Sequence, residues 1–368
     1  EKYTLSFCVM SALAQPAASP ARLAQKAAEL VEQCQYDLAC KFLTRALEQT
    51  PGDATLLDAL ADVYLMLGNV EAAAILLEKS ARVAPDAGAA KWLSLGQLRH
   101  GEDAAACYQR GVAILNRELA ATSTGNGSSG SSSSNSICSS SDANTAGPAT
   151  AEALASAHCS IVELYMTDLC DKEGAEACCE ENIARALEVS PNGFEANAMA
   201  ASLRLVQQRR EDATRHVDRA IAAIMPSSAE AADSSGSSSG SDDEMMAVAA
   251  HVESFPLPLR FSAAKSMLEL ERYTAAASVM EGILHEDDSD PEVWCVLGVT
   301  YQRLGELDMA KQYFERTLGC IVDAEKDPEM ARQRAHVQGL LSQVVGEIAK
   351  EHGAGNDGTA NTGMEVDA

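Results

Sequence analysis

The sequence predicts an all-α fold, a right-handed α-solenoid of about seven helix-turn-helix repeats with a C-terminal capping helix. Three observations carry that expectation. The first is the stretch Pro291 to Leu318. There Trp294, Leu297 and Tyr301 recur at helical spacing, Leu304-Gly305-Glu306 supplies a turn, and Ala310, Phe314 and Leu318 line one face of a second helix. The second is an interval: Pro85 follows Pro51 by 34 residues, both at expected turns. The third is composition, 46% apolar but only 4% aromatic, which suits close-packed Ala- and Leu-rich helices better than a sheet.

Each part of the 291–318 unit has a physical reason. Gly298 is small enough for a second helix to cross close by, and Gly305 takes the left-handed conformation that ends the first helix cheaply. The pattern of Trp, Leu-Gly, Tyr, Ala and Phe is that of the tetratricopeptide (TPR) hairpin, and 34 residues is its period. One such hairpin cannot bury its apolar face alone, so further copies must flank it.

Taken in order, residues 1–18 form an uncertain lead-in. Repeats one to three occupy 19–120. Ser19-Pro20 reads as a cap followed by Pro at the first helical position. Leu23, Ala27 and Leu30 then face Ala39, Leu43 and Ala46. In the second repeat Leu57, Leu60-Ala61 and Tyr64 lead through Leu67-Gly68-Asn69 to Ala73, Leu77 and Ser80. The third is degenerate: Trp92 precedes Ala104 by 12 residues, whereas Trp294 precedes Ala310 by 16, which predicts a turn shorter by about one helical turn. Residues 121–150 are Ser, Gly, Asn and Thr and cannot bury enough surface to offset chain entropy, so they are expected to be a disordered insertion. Repeats four and five fill 151–225, an acidic Ser/Gly loop fills 226–254, and repeats six and seven fill 255–322. A capping helix is expected over 323–350 and a disordered tail over 351–368.

Charge bounds the partners. With 28 basic and 54 acidic residues the formal charge is −26, which disfavours direct contact with nucleic acid or an anionic membrane and suits a basic partner, unless it serves only solubility. Eleven scattered cysteines, with no CxxC pair, fit reduced thiols rather than a disulfide framework or a metal site. Leu5 to Ala14 and the Ala-Gln-Pro-Ala-Ala-Ser-Pro that follows faintly resemble a signal peptide, which the cysteine usage argues against. Nowhere do the roughly 18 apolar residues of a membrane span occur in a row.

No GxSxG, phosphate-cradling glycine loop or HExxH is present, and the seven histidines are scattered. The chain therefore reads as a binding protein rather than an enzyme, with no cofactor, metal or small-molecule substrate implied. Asp58 and Asp62 lie four apart on the second repeat's first helix, off its apolar face. The same helical wheel puts Glu163, Glu195, Glu269 and Glu292 at inner or groove-edge places of later repeats. Such an acidic groove suits an Arg/Lys-rich segment; the alternative is that these are ordinary solvated charges. Arrays that grip chaperone C-terminal carboxylates need Lys and Asn at inner places, where this chain has Ala24, Ala28, Asp58 and Asp62.

Three stretches go beyond the generic repeat: Lys91–Leu98 with Gly101 and Ala105–Gly111, Ser160–Cys170, and Glu286-Asp287-Asp288 with Pro291–Gly298. In this order they resemble the TPR family of dedicated assembly chaperones of ribosomal protein L four, over roughly 20–345 apart from the two Ser/Gly insertions. The resemblance implies a protein of cytoplasm and nucleus. It would bind the newly made ribosomal protein, shield its basic internal loop and escort it to large-subunit assembly. The alternative is a general TPR scaffold inside a larger complex.

Overall fold

The computed structural model describes residues 19–124, 146–225, 255–321 and 327–354, with backbone alone at 122–124, 146–149 and 351–354. The expected lead-in at 1–18, most of both Ser/Gly segments and most of the tail lie outside these residues. The described residues form fifteen helices and no strand. They fall into two compact units, 1–190 and 191–368.

The first unit holds four hairpins: α1 (Pro20–Glu32) with α2 (Tyr36–Gln49), α3 (Ala54–Met66) with α4 (Val70–Val83), α5 (Ala90–Leu98) with α6 (Gly101–Thr124), and α7 (Ala146–Met166) with α8 (Ala175–Val189). The second holds three, α9 (Phe194–Val206) with α10 (Arg210–Ile224), α11 (Leu257–Glu269) with α12 (Tyr273–Glu286) and α13 (Pro291–Leu304) with α14 (Leu307–Cys320), then α15 (Pro328–Ala354). The expected apolar faces are the core: Leu23, Ala27, Leu30, Ala39, Leu43 and Ala46 are all buried and continue into Leu56 and Leu60 of α3. Pro occupies the first turn of α1, but the Ser19 hydroxyl makes no capping bond. Asp53, Asn69 and Asp290 do cap their helices through side-chain oxygens.

Gly298 works as expected, and Gly96 has the same role in the third repeat. A Cβ on Gly298 would lie 2.7 Å from the Phe314 ring, and one on Gly96 would lie 2.8 Å from the Tyr108 ring. In every described hairpin with a short turn except the third, a left-handed residue ends the first helix: Gly68 and Gly305 in two, but Cys34, Gln208 and Glu271 in three others. Both tryptophans reach back to the linker before their own helix. Trp92 Nε1 donates to the Pro85 carbonyl at 3.1 Å and Trp294 Nε1 to the Asp288 carbonyl at 2.8 Å.

Several boundaries differ from expectation. The third repeat's turn is not shortened: residues 99–100 connect α5 to α6 as 305–306 connect α13 to α14. The helix itself is shorter, nine residues in α5 against 14 in α13. The insertion expected over 121–150 is helical at both ends, through Thr124 and from Ala146. Composition misled there, because Leu115 and Leu119 of α6 pack with Ala153 and Leu154 of α7 and carry both helices past the repeat. The capping helix starts at Pro328, where Asp327 Oδ1 accepts the Glu329 N–H at 2.8 Å, and runs to Ala354. Its Val337 and Val344 bury against Ala310 and Phe314 of α14.

Candidate interaction surface

The six acidic residues singled out by the helical wheel lie three in each unit, so each set is described on its own unit. Asp58 and Asp62 both lie on α3. They are not an unpartnered like-charge pair. Lys91 of α5, fully buried, brings its Nζ within 3.4 Å of Asp58 Oδ2 and donates to Ser80 Oγ of α4 at 2.8 Å. Ser80 in turn donates to the Ala54 carbonyl at 3.4 Å. A single wheel cannot show this, because the counter-ion comes from the next repeat. Asp58 Oδ1 is buried and has no hydrogen-bond donor.

Asp62 is exposed, yet the protein around it desolvates its carboxylate. That desolvation, with the charge of Asp58 added, pushes the Asp62 carboxyl up to about 6. Glu163 is exposed near the end of α7, and its backbone carbonyl accepts the Thr167 hydroxyl at 2.9 Å.

In the second unit Glu195 and Glu292 sit in the first turns of α9 and α13, where the helix dipole favours a carboxylate. Glu292 Oε1 is 3.4 Å from Lys265 Nζ of α11. Glu269 closes α11 and is exposed; its backbone carbonyl accepts from Arg210, which also pairs with Glu271 at 3.0 Å. Asp58 and Glu292 thus share one arrangement: a first-helix carboxylate met by a lysine from a neighbouring first helix.

Two further groups escaped the sequence reading. Arg260 of α11 is fully buried and grips Glu286 of α12 with both nitrogens at 2.6 Å, and this bidentate bond holds the Glu286 carboxyl below its usual range. The α7–α8 turn spans 167–174, longer than the two- and three-residue turns elsewhere, and docks on the preceding repeat. Asp168 Oδ2 accepts the Gly101 N–H at 3.4 Å, and Lys172 pairs with Glu102 at 2.6 Å. The stretch Ser160–Cys170, one of the three that carry the resemblance, runs into this turn. Among the described residues no group of three or more His, Cys, Asp or Glu is placed to hold a metal ion. No described helix is long and apolar enough to cross a membrane.

Stacked hairpins with small residues at the crossings define the class: this is a TPR α-solenoid protein. Tetratricopeptide repeat family models match residues 30–95 and 291–319. More particularly, the chain is similar to "Probable assembly chaperone of rpl4" of Schizosaccharomyces pombe, 27% identical over 327 residues, covering 82% of this chain and 84% of that protein. A protein of the same name from Emericella nidulans is 26% identical over 306 residues, 79% of this chain and 67% of that one. The solved structure of residues 1–338 of Assembly Chaperone of RpL4 (Acl4) aligns with a TM-score of 0.61 at 25% identity, over 79% of this chain and 98% of that one. The family resemblance drawn from three short stretches therefore extends over about four fifths of the chain.

Proposed function

We propose that the chain is a dedicated assembly chaperone for rpl4. It binds the newly made basic ribosomal protein through acidic first-helix faces and escorts it from cytoplasm to nucleus for large-subunit assembly. The observation that carries this reading is the similarity to rpl4 assembly chaperones over 82% of the chain. The charge of −26 supports it, because an acidic surface competes with RNA for a basic segment.

The structure selects which charges to reverse. Replacing Asp58 would strand buried Lys91, so Asp62→Lys with Glu163→Lys is the cleaner variant. Two reversed surface charges should weaken rpl4 binding about tenfold, at roughly 0.2–1 kcal/mol for each contact removed plus new repulsion. Pull-down from extract at low and high salt checks the same reading. One dominant basic ribosomal protein that washes off as salt rises is expected.

A scaffold role has one specific observation in its favour. Leu38, Met66, Leu67 and Val70 are exposed apolar side chains around the hairpin turns of the first two repeats. A set of non-ribosomal partners that resists salt would establish that role and remove the chaperone reading.

A further inference from the structure

Among the described residues of the first unit, Asp58 Oδ1 is the buried side-chain oxygen left without a donor. It is closed to bulk water, so a donor has to come from the protein. The ammonium of Lys91 does not supply it. That group meets the other oxygen, Oδ2, at 3.4 Å and donates to Ser80 at 2.8 Å.

Asp62 is the neighbour placed to do so. Residues four apart on a helix have Cβ atoms about 5–6 Å from one another, and a helical side chain leans over the turn N-terminal to its own Cα. For Asp62 that turn carries Asp58. Asp62 makes no hydrogen bond or ion pair with any described residue, so its carboxyl is uncommitted. A carboxylate only accepts, but a protonated carboxyl has one O–H to donate.

The surroundings hold one ammonium for these two carboxylates. On α1, Lys26 turns to its own Glu29 at 2.7 Å. In the core shared with α3, the titratable side chains of α1 and α2 are Tyr36 and Cys40, and Cys40 is bonded to Tyr64. The charges of α4 are Glu71, Glu78, Lys79 and Arg82; Glu78 pairs with Arg99 at 2.8 Å, and Arg82 donates to the Glu78 carbonyl at 3.3 Å. From α5 comes Lys91, already on Asp58. The rise of the Asp62 carboxyl to about 6, by desolvation first and the Asp58 charge second, agrees with a proton held there.

We propose that Asp58 and Asp62 hold one proton between them, carried by Asp62 and donated to Asp58 Oδ1, and that a cationic side chain of the basic partner binds here by displacing it. The partner rests on the chaperone reading; the shared proton does not. The displaced proton goes to solvent, the pair passes from one negative charge to two, and N–H groups of the arriving cation replace the lost donor. Affinity for a basic segment should therefore rise with pH, by about tenfold between pH 5 and 7 for one proton fully displaced.

The test uses the full chain with ¹³C-carboxyl-labelled aspartate, followed by NMR from about pH 4 to 8. The Asp62 signal, assigned by its loss in Asp62→Asn, should titrate near pH 6, and the Asp58 signal should move at the same midpoint. An Asp62 midpoint near the ordinary aspartate value of about 4 would overturn the shared proton. Calorimetry with tetra-arginine at about pH 6, in two buffers of different ionisation enthalpy, counts the protons released on binding. The unaltered chain should release about half a proton more per peptide than Asp62→Asn. Equal release from both chains would assign the protons to histidines and overturn the displacement. Because the NMR titration contains no rpl4, an ordinary Asp62 midpoint leaves the proposed function standing. Failure of rpl4 to bind, with the raised midpoint intact, removes that function and keeps the shared proton.

Discussion

Among the described residues each unit buries one lysine or arginine against a carboxylate that is itself 31% exposed: Lys91 with Asp58 in the first, Arg260 with Glu286 in the second. The outcomes are opposite. Arginine's planar fork reaches both oxygens of Glu286 and leaves its own Nε short of a partner. Lysine's point charge shares itself between Asp58 Oδ2 and Ser80, and it is the carboxylate, at Oδ1, that is left short. The lesson is local: a fork closes a carboxylate, whereas an ammonium leaves negative potential behind. On α3 Asp62 lies one turn away: desolvation first, and the Asp58 charge second, raise its carboxyl, while Glu286 is held down by its bond to Arg260.

Removing the cations should break the comparison most. Arg260→Met should cost about 3 kcal/mol, because it strands a partly buried carboxylate, and Glu286→Leu in the same chain should recover most of that. Urea unfolding reads both; a single-variant loss below about 0.5 kcal/mol would mean the pair is dispensable. Lys91→Met keeps the stem and should cost less, about 2 kcal/mol, since the Asp58 contact is longer and serves one oxygen. If Lys91→Met cost more than Arg260→Met, the fork argument would be wrong.

The smallest effect sharpens the electrostatic half. A folded-state carboxyl near 6 lies above its unfolded value, so between about pH 4 and 6 the folded chain binds more protons and this group's contribution falls as pH rises. Asp62→Asn should therefore stabilise at pH 7 by up to about 1 kcal/mol, a figure already reduced for the exposure of Asp62. The gain should vanish near pH 4. Equal gains at both pH values would show that Asp62 is not desolvated.

Much of the fold was legible because its determinants are local. Ala27, Leu43, Leu77, Ala310 and Phe314 sit at fixed helical spacings, and all five are buried. Gly298 and Gly305 announced a close crossing and a left-handed turn. What stayed hidden needs two repeats at once. Lys91 reads as a surface residue until α3, α4 and α5 converge on it. Residues 121–124 read as linker by composition, yet helix continues there beside α7. In three hairpins Cys34, Gln208 and Glu271 hold a left-handed turn that sequence assigns to glycine, a strain of about 1–2 kcal/mol each that neighbouring packing must offset. The six acidic candidates all lie on helices, but the wheel could not separate Asp58, tied to a buried ammonium, from Asp62, which is exposed.

The two tryptophans have a use of their own. The chain has two, Trp92 in the first unit and Trp294 in the second, and each indole N–H is tied to the backbone of the linker entering its own hairpin. Replacing one with Phe turns the other into a fluorophore confined to a single stack. A pair of such chains would report, by whether their emission changes coincide in denaturant, if the repeats melt as one cooperative body or as two.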